Sequence, residues 1–380
     1  MAFILSQPGK SKGILIFKHL EVNFVNRLDA KIIKRLREKY IIGVYFGFYT
    51  KLKSDIFWTD FYLAADNLIS CQDILLKPRI ALNGFNFISS EEISNENHVD
   101  KKYDFIFIGN SQTRKNLLRY IEALQVLSEI NKGYTAIIIN RLGGSIENKL
   151  YVSKVRKALS ALSSATRGNI TYIESMTESD PLPKDFIRLL YQQSRFLVIT
   201  SRAEGAARVV GEASLNNLGV ISYSKMLGGT NNHLDAEVDV LFDDFKELPS
   251  ILNIALTNKD RLINYSSSNK SCYLESANKE KLIKELVNLF QLSKPDLEDE
   301  LNNKILYNAF SSHLNLLDSK YSNNRTDEIQ SNKKMYLFVN HLTDSPPAFI
   351  QKVRFSILDF MSRLKSIYSF PKAVLKMVIY

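Results

Sequence analysis

Two glutamates with seven residues between them, Glu204 and Glu212, flank the small-residue run Gly205, Ala206, Ala207. Carboxylates pair well with hydroxyl groups, and small residues at a helix start let backbone N–H groups come close to an anion such as phosphate. A sugar nucleotide, with hydroxyls on its ribose and on its transferred sugar, answers to that combination. Two acids at this spacing, taken alone, equally describe solvated carboxylates on a loop and a helix surface. The elements around them decide the reading. Phe196 to Thr200 is a short apolar run of β-formers, 201–207 is small and polar, and Val209, Val210, Ala213 and Leu215 predict a helix from Arg208 with Gly219 as its stop. Val220 to Ser222 makes the next strand. Two strands joined through a helix form a parallel βαβ unit, and the loop at 201–207 lies where such units bind ligands.

A second turn of the same kind precedes it. Tyr103 to Ile108 reads as a strand ending in Gly109, and the loop from Asn110 through Arg114 and Lys115 opens a helix expected over Leu117 to Ile130. Basic residues on a strand-to-helix turn make a phosphate site. Further strands are expected at Thr135 to Ile139 and Asn169 to Ile173. Helices are expected at Tyr151 to Leu162, Pro183 to Gln192, Leu248 to Leu256 and Lys279 to Phe290. Gly143-Gly144 is no dinucleotide fingerprint, because no G-x-G-x-x-G is present, which argues against a dehydrogenase.

Ser201-Arg-Ala-Glu204-Gly205, then Glu212-Ala213, Gly219 and Gly228-Gly229, together resemble the donor-binding signature of the retaining GT-B glycosyltransferases of family 4, written E-x7-E. The resemblance implies an α/β fold of two Rossmann-like domains with a nucleotide-sugar donor between them. It gives Glu204, Gly205, Ala206 and Ala207 to the transferred sugar and diphosphate, and Glu212 to the ribose. The loop at Gly109 resembles the family's G-R…K-G turn, whose two basic residues clamp the diphosphate. Lys115 matches the lysine, while Asn110 stands where the arginine is expected, so that charge is missing or comes from Arg114. Glu204 and Lys115 are thereby the implied catalytic residues. Ala206 and Ala207 replace the family's usual aromatic and Gly or Pro. Gly228-Gly229-Thr230 would close the donor site from its far side. Neither a metal nor a cofactor is implied.

With 380 residues the chain is long enough for two domains. The boundaries read as a shortened N-terminal domain over 1–100, a donor domain over 101–292, and a polar linker with an amphipathic tail over 293–380. The first part offers a strand at Gly13 to Phe17, a helix over Glu21 to Lys39, a second strand at Tyr40 to Phe48, and Ala81 to Asn86 as the link onward. Fewer than 100 residues are short for an acceptor domain, and neither His19 nor His98 is placed by a motif as catalytic. No apolar run reaches the ~18 residues of a membrane helix. Two cysteines, Cys71 and Cys272, make no disulfide framework and fit a reducing cytoplasm.

The formal net charge of +10 calls for an anionic partner. Without a helix-turn-helix, zinc finger or RNP-like motif, nucleic acid ranks last. The tail helix over Phe349 to Tyr368 interleaves apolar residues with Lys352, Arg354, Arg363 and Lys365. It either lies on an anionic membrane surface, making the protein peripheral on the inner face, or packs back onto the N-terminal domain. The expected activity is transfer of a sugar to a sugar, polysaccharide or lipid-linked acceptor. A non-catalytic GT-B-like subunit and a nucleotide-sugar epimerase are the alternatives.

Overall fold

The computed structural model describes residues 2–9, 12–19, 22–26, 28–47, 50–52, 54–65, 69–71, 77–82, 84–89, 99–142, 146–175, 182–205, 207–258, 265 and 267–302. The tail expected over 349–368 lies outside them. The chain separates into two compact units. Among the described residues, one holds those from Ala2 to Val44 and Trp58–Asp60, and the other holds those from Tyr45 to Phe57 and from Phe61 on. This division does not coincide with the boundary expected near residue 100.

In the first unit, β1 (Ala2–Ser6) and β2 (Gly13–Lys18) form an antiparallel hairpin. Gly13 to Phe17 is therefore the second strand of the chain. The expected helix over Glu21 to Lys39 is two helices, α1 (Val22–Val25) and α2 (Ala30–Lys39). Asp29 divides them because its carboxylate accepts from the Lys31 N–H at 2.7 Å, the bond of an N-cap. Helix α2 buries Ile32, Ile33 and Leu36 and turns Lys31, Lys34, Arg35 and Arg37 outward. Strand β3 (Tyr40–Tyr45) lies next to β2 and is buried along its length. Asp60 ties the unit together, accepting from Arg37 and from the Ile42 N–H at 2.8 and 2.9 Å.

The second unit begins with short parallel pairs. Strand β4 (Thr50–Leu52) pairs with β6 (Ile69–Cys71), and β5 (Phe61–Leu63) pairs with β7 (Arg79–Ile80). The expected link at Ala81 to Asn86 is instead packed inside this unit, with Phe85, Asn86, Phe87 and Ile88 all buried. Then come β8 (Tyr103–Asn110), α3 (Leu117–Ile130), β9 (Ala136–Arg141), α4 (Ile146–Ala161), α5 (Ser164–Gly168) and β10 (Ile170–Ser175). They are followed by α6 (Lys184–Gln192), β11 (Ser194–Ile199), α7 (Arg208–Leu215), β12 (Gly219–Tyr223) and β13 (Val240–Phe242). Helices α8 (Leu248–Thr257), α9 (Ser267–Ser271), α10 (Glu275–Phe290) and α11 (Lys294–Asn302) complete it.

Its six long-range strands are all parallel and lie in the order β10-β9-β8-β11-β12-β13. Numbered within the sheet this is 3-2-1-4-5-6, the order of a doubly wound, Rossmann-like domain. The strands are apolar on both faces because both are covered. Phe105, Phe107, Ala136, Ile138, Phe196 and Val198 join a core with α3, α4 and α8. The alternate residues Ile106, Ile137, Leu197 and Val220 are fully buried too. The fold is thus α/β. Helix α11 occupies part of the expected polar linker and earns its place by burying Leu297 and Leu301.

The stop of α7 also differs from expectation. The left-handed residue after that helix is Asn217, at φ 58°, and Gly219 is already the first residue of β12. Asparagine tolerates this region because its short amide can bond locally.

Candidate functional site

The strand order reverses between β8 and β11, and it is outside the carboxyl ends of the strands at such a switch point that doubly wound sheets hold ligands. The 110–116 turn leaves β8 there and the 200–207 loop leaves β11. Backbone and side-chain bonds join them. Thr200 Oγ1 donates to the Lys115 carbonyl at 2.9 Å, and the Arg202 N–H donates to the Arg114 carbonyl at 2.8 Å.

These bonds bring Lys115, Arg114 and Glu204 together. Lys115 Nζ stands 2.6 Å from Glu204 Oε1, and Arg114 Nη1 stands 2.9 Å from Oε2. Arg114 is further fixed by Gln112, which accepts from its Nε at 2.7 Å, and by the Ala203 carbonyl at 2.7 Å. Glu204 is 7% exposed, Lys115 14% and Arg114 42%. Burial by itself would raise the Glu204 pKa. The charges of Lys115 and Arg114, with hydrogen bonds from Lys115 and Ser201, outweigh it and hold the carboxyl below its ordinary value. At Gly109 a side chain would crowd the Phe107 ring at 3.0 Å and only touch the Lys115 stem, at 3.8 Å.

A third loop, after β12, locks the second. The Glu204 N–H donates to the Leu227 carbonyl and the Leu227 N–H to the Arg202 carbonyl, both at 2.9 Å. Gly229 donates to the Gly205 carbonyl at 2.9 Å. The Ala207 N–H donates to Thr230 Oγ1 at 3.0 Å, so it is engaged by a side chain of this chain. Gly228 sits at φ +111° with the Glu204 carbonyl oxygen 1.6 Å from where a Cβ would lie. Gly228-Gly229-Thr230 is therefore stitched directly onto 203–207. Ala206 lies outside the described residues.

Glu212 has other partners. It lies one turn into α7, where Arg208 Nε donates to Oε1 across one helical turn. Tyr191 of α6 donates its hydroxyl to Oε2 at 2.8 Å. Sequence reasoning missed both partners. The i,i+4 spacing of Arg208 and Glu212 was a readable signal for the first, whereas Tyr191 reaches Glu212 only through the packing of α6 on α7. Asn110 ends β8, and its Oδ1 is buried with no hydrogen-bond partner among the described residues. Arg114, four positions on, lies with its guanidinium 2.9 Å from Glu204 Oε2. His19 follows β2, its pKa pulled down to about 4, chiefly by burial. His98 lies outside the described residues.

A polar chain braces the 110–116 turn from the other side. The single Ser111 hydroxyl proton has two acceptors in reach, the Arg141 carbonyl at 2.9 Å and Asn140 Oδ1 at 3.1 Å. Asn140 in turn donates to the Tyr172 hydroxyl, which donates to Glu174 at 2.8 Å. Among the described residues no group of three His, Cys, Asp or Glu side chains could hold a metal ion, and no helix is long and apolar enough to cross a membrane.

No protein-family profile and no curated protein matches this chain. Distant similarities appear among solved structures. The pneumococcal O-GlcNAc transferase GtfA, solved with UDP and GlcNAc, aligns over 69% of this chain and 55% of its own at 12% identity and a TM-score of 0.49. TarM aligns over 67% of this chain and 51% of its own at 14% identity and a TM-score of 0.49. The α,α-trehalose 6-phosphate synthase of Burkholderia multivorans aligns over 74% and 70% at 10% identity and a TM-score of 0.45. The chain spans about half the length of the first two. Likenesses this distant bear on neither chemistry nor substrate, and the fold assignment rests on the strand order.

Proposed function

We propose that this chain is a glycosyltransferase of the GT-B type, resembling family 4, that moves a sugar from a nucleotide-sugar donor to an acceptor hydroxyl with retention and without a metal. The observation that carries the reading is the convergence of Lys115 and Arg114 on the buried Glu204 at the switch point of a 3-2-1-4-5-6 sheet. Two preorganised cations can take up the charge that grows on a departing diphosphate, which is the stabilisation such a reaction needs in place of a metal. Glu204 would meet sugar hydroxyls and Glu212 the ribose, each from a loop or helix start fixed by the bonds above. In this reading residues 101–292 carry the donor site and 1–100 the shortened acceptor side, a functional division that cuts across the compact unit holding Phe61 onward.

A donor-hydrolysis screen over UDP-, GDP- and ADP-sugars tests it. Turnover of one base series supports transfer. Binding without turnover points to a non-catalytic GT-B-like subunit, and epimerised donor to an epimerase. Absence of binding to every base removes the reading.

Glu212→Ala is expected to weaken nucleotide binding by about 1.5–3 kcal/mol, the range for hydrogen bonds to a charged group. Calorimetry with free nucleotide measures it. Unchanged affinity in a folded variant would return Glu212 to a purely structural tie among Arg208, Tyr191 and α7.

A lipid-linked or polysaccharide acceptor and a cytoplasmic, peripheral location belong to the same proposal. They rest on the net charge of +10 and on the tail's four basic residues between Lys352 and Lys365. Attraction to anionic lipid is worth ~1 kcal/mol per basic residue near the surface and is screened by salt. The full chain is therefore expected to co-sediment with anionic liposomes at low salt, and a chain ending near Asn332 to do so less. If both stay in solution while the shorter one melts earlier, the tail is core and the membrane reading is dropped.

A further inference from the structure

We infer that Glu204 makes this site select a sugar nucleotide over the bare nucleoside diphosphate, because its carboxylate is itself the anion that Lys115 and Arg114 hold. The inference rests on the glycosyl-transfer reading and concerns the same site. Three observations carry it. Each oxygen stands beside a cation, Oε1 2.6 Å from Lys115 Nζ and Oε2 2.9 Å from Arg114 Nη1. The side chain is 7% exposed, so water supplies little in place of those partners. The backbone on which it stands is pinned, through the Glu204 N–H on Leu227 and through Gly228 pressed against the Glu204 carbonyl.

A diphosphate that takes Lys115 and Arg114 must displace this carboxylate or crowd against it. Displacement leaves a buried charge without its partners, and crowding sets like charges side by side; both oppose binding. A nucleoside diphosphate offers no hydrogen-bond donor at its terminal phosphate to relieve the carboxylate. A sugar attached there offers hydroxyls, whose charge-assisted bonds to the carboxylate replace those it loses. The same carboxylate thus admits the donor while its sugar is attached and disfavours the diphosphate once the sugar has gone. It acts as a specificity-determining group and hastens product release. Arg114 and Lys115 are adjacent in sequence, so one turn delivers both cations to one carboxylate.

The experiment is calorimetry with UDP, GDP and ADP, and with UDP-glucose, UDP-N-acetylglucosamine, GDP-glucose and ADP-glucose, on the full-length protein and on Glu204→Gln. For the base that binds, the unsubstituted protein is expected to hold at least one sugar nucleotide more tightly than its nucleoside diphosphate. Glu204→Gln keeps the side-chain shape and removes the competing charge. It should bind the nucleoside diphosphate on the order of tenfold more tightly while losing its preference for the sugar form. The thermal shift that the diphosphate produces should grow in the same variant. A folded Glu204→Gln that binds the diphosphate no better overturns the inference and leaves the glycosyl-transfer reading standing. If that variant does not fold, the unsubstituted protein decides: a diphosphate held as tightly as every sugar nucleotide overturns it. Binding of none of these ligands overturns the inference together with the reading it rests on.

Discussion

Gly228→Ala is expected to unfold this protein more readily than any other single added methyl group at its site, by about 3 kcal/mol or more. Two independent penalties meet at one residue. The backbone at φ +111° is a conformation that residues with a Cβ rarely adopt, a strain of order 1–3 kcal/mol. The new Cβ would also lie 1.6 Å from the Glu204 carbonyl oxygen, 2.9 Å from its carbon and 3.1 Å from the Gly205 carbonyl oxygen. Backbone atoms cannot rotate aside, so the 226–230 loop must lift off the 203–207 loop. That separation breaks the Glu204–Leu227 and Gly229–Gly205 hydrogen bonds and releases Ala207 from Thr230. Nucleotide binding should fall with stability, since Glu204 loses the support that aims it. Gly168→Ala is the control, because a Cβ there meets nothing within 4 Å, and its stability should stay near that of the parent. Urea denaturation of the two variants measures the difference. A Gly228→Ala protein within about 1 kcal/mol of the parent, with nucleotide affinity intact, would show that the loops are not mutually locked.

What the sequence made legible follows from which forces are local. Helix α3 begins and ends where expected, at Leu117 and Ile130, because its apolar residues repeat at helical spacing along a single buried face. The strand, loop and helix over 194–215 were readable for a similar reason, since a parallel strand covered on both faces is a continuous apolar run. Errors arise where a single side chain or a distant partner decides. The carboxylate of Asp29 splits the expected helix at 21–39, a cap that helical periodicity alone does not show. Strand β1 exists because Ala2–Ser6 pairs with β2 across a turn, and the lone stretch carries too few residues to announce itself. Ala81 to Asn86 looked like a link because its Asn-Gly pair resembles an interdomain linker, yet Asn278 Nδ2 donates to the Asn86 carbonyl at 2.8 Å from 192 positions away. The same distinction holds at the site. Glu204 and Lys115 stood out through the family resemblance of the motifs that hold them, whereas their direct pairing depends on β8 and β11 lying side by side, a fact of topology. Tyr191 belongs with Glu212 for no reason that spacing could reveal.

Lys115→Ala is expected to slow glycosyl transfer by about 10²–10³-fold, the loss seen when one preorganised charge-stabilising donor is removed. The affinity for a nucleoside lacking phosphate should barely change. The division follows from where charge develops: as the bond between sugar and diphosphate breaks, negative charge grows on the oxygen beside which Lys115 is proposed to stand, so its contribution is larger in the transition state than in the bound donor. A second consequence is read in stability. In the parent protein Lys115 and Arg114 depress the Glu204 pKa against the opposing effect of burial. A carboxyl depressed by folding stabilises the folded state above its unfolded pKa of about 4.3, and that stability is lost as the pH falls through the folded value. Without Lys115 the carboxylate keeps Arg114, which is 42% exposed, as its remaining partner of this pair, and burial then weighs more heavily. The stability gap between parent and variant should therefore be widest near pH 7 and close as the pH falls below the ordinary carboxylate range, where Glu204 is protonated in both. Single-turnover rates, nucleoside calorimetry and urea denaturation at several pH values read the three effects separately. Equal loss of nucleoside and sugar-nucleotide binding would mean that the 110–116 turn has simply collapsed. A stability gap independent of pH would mean that Lys115 supports the loop by packing and not by its charge on Glu204.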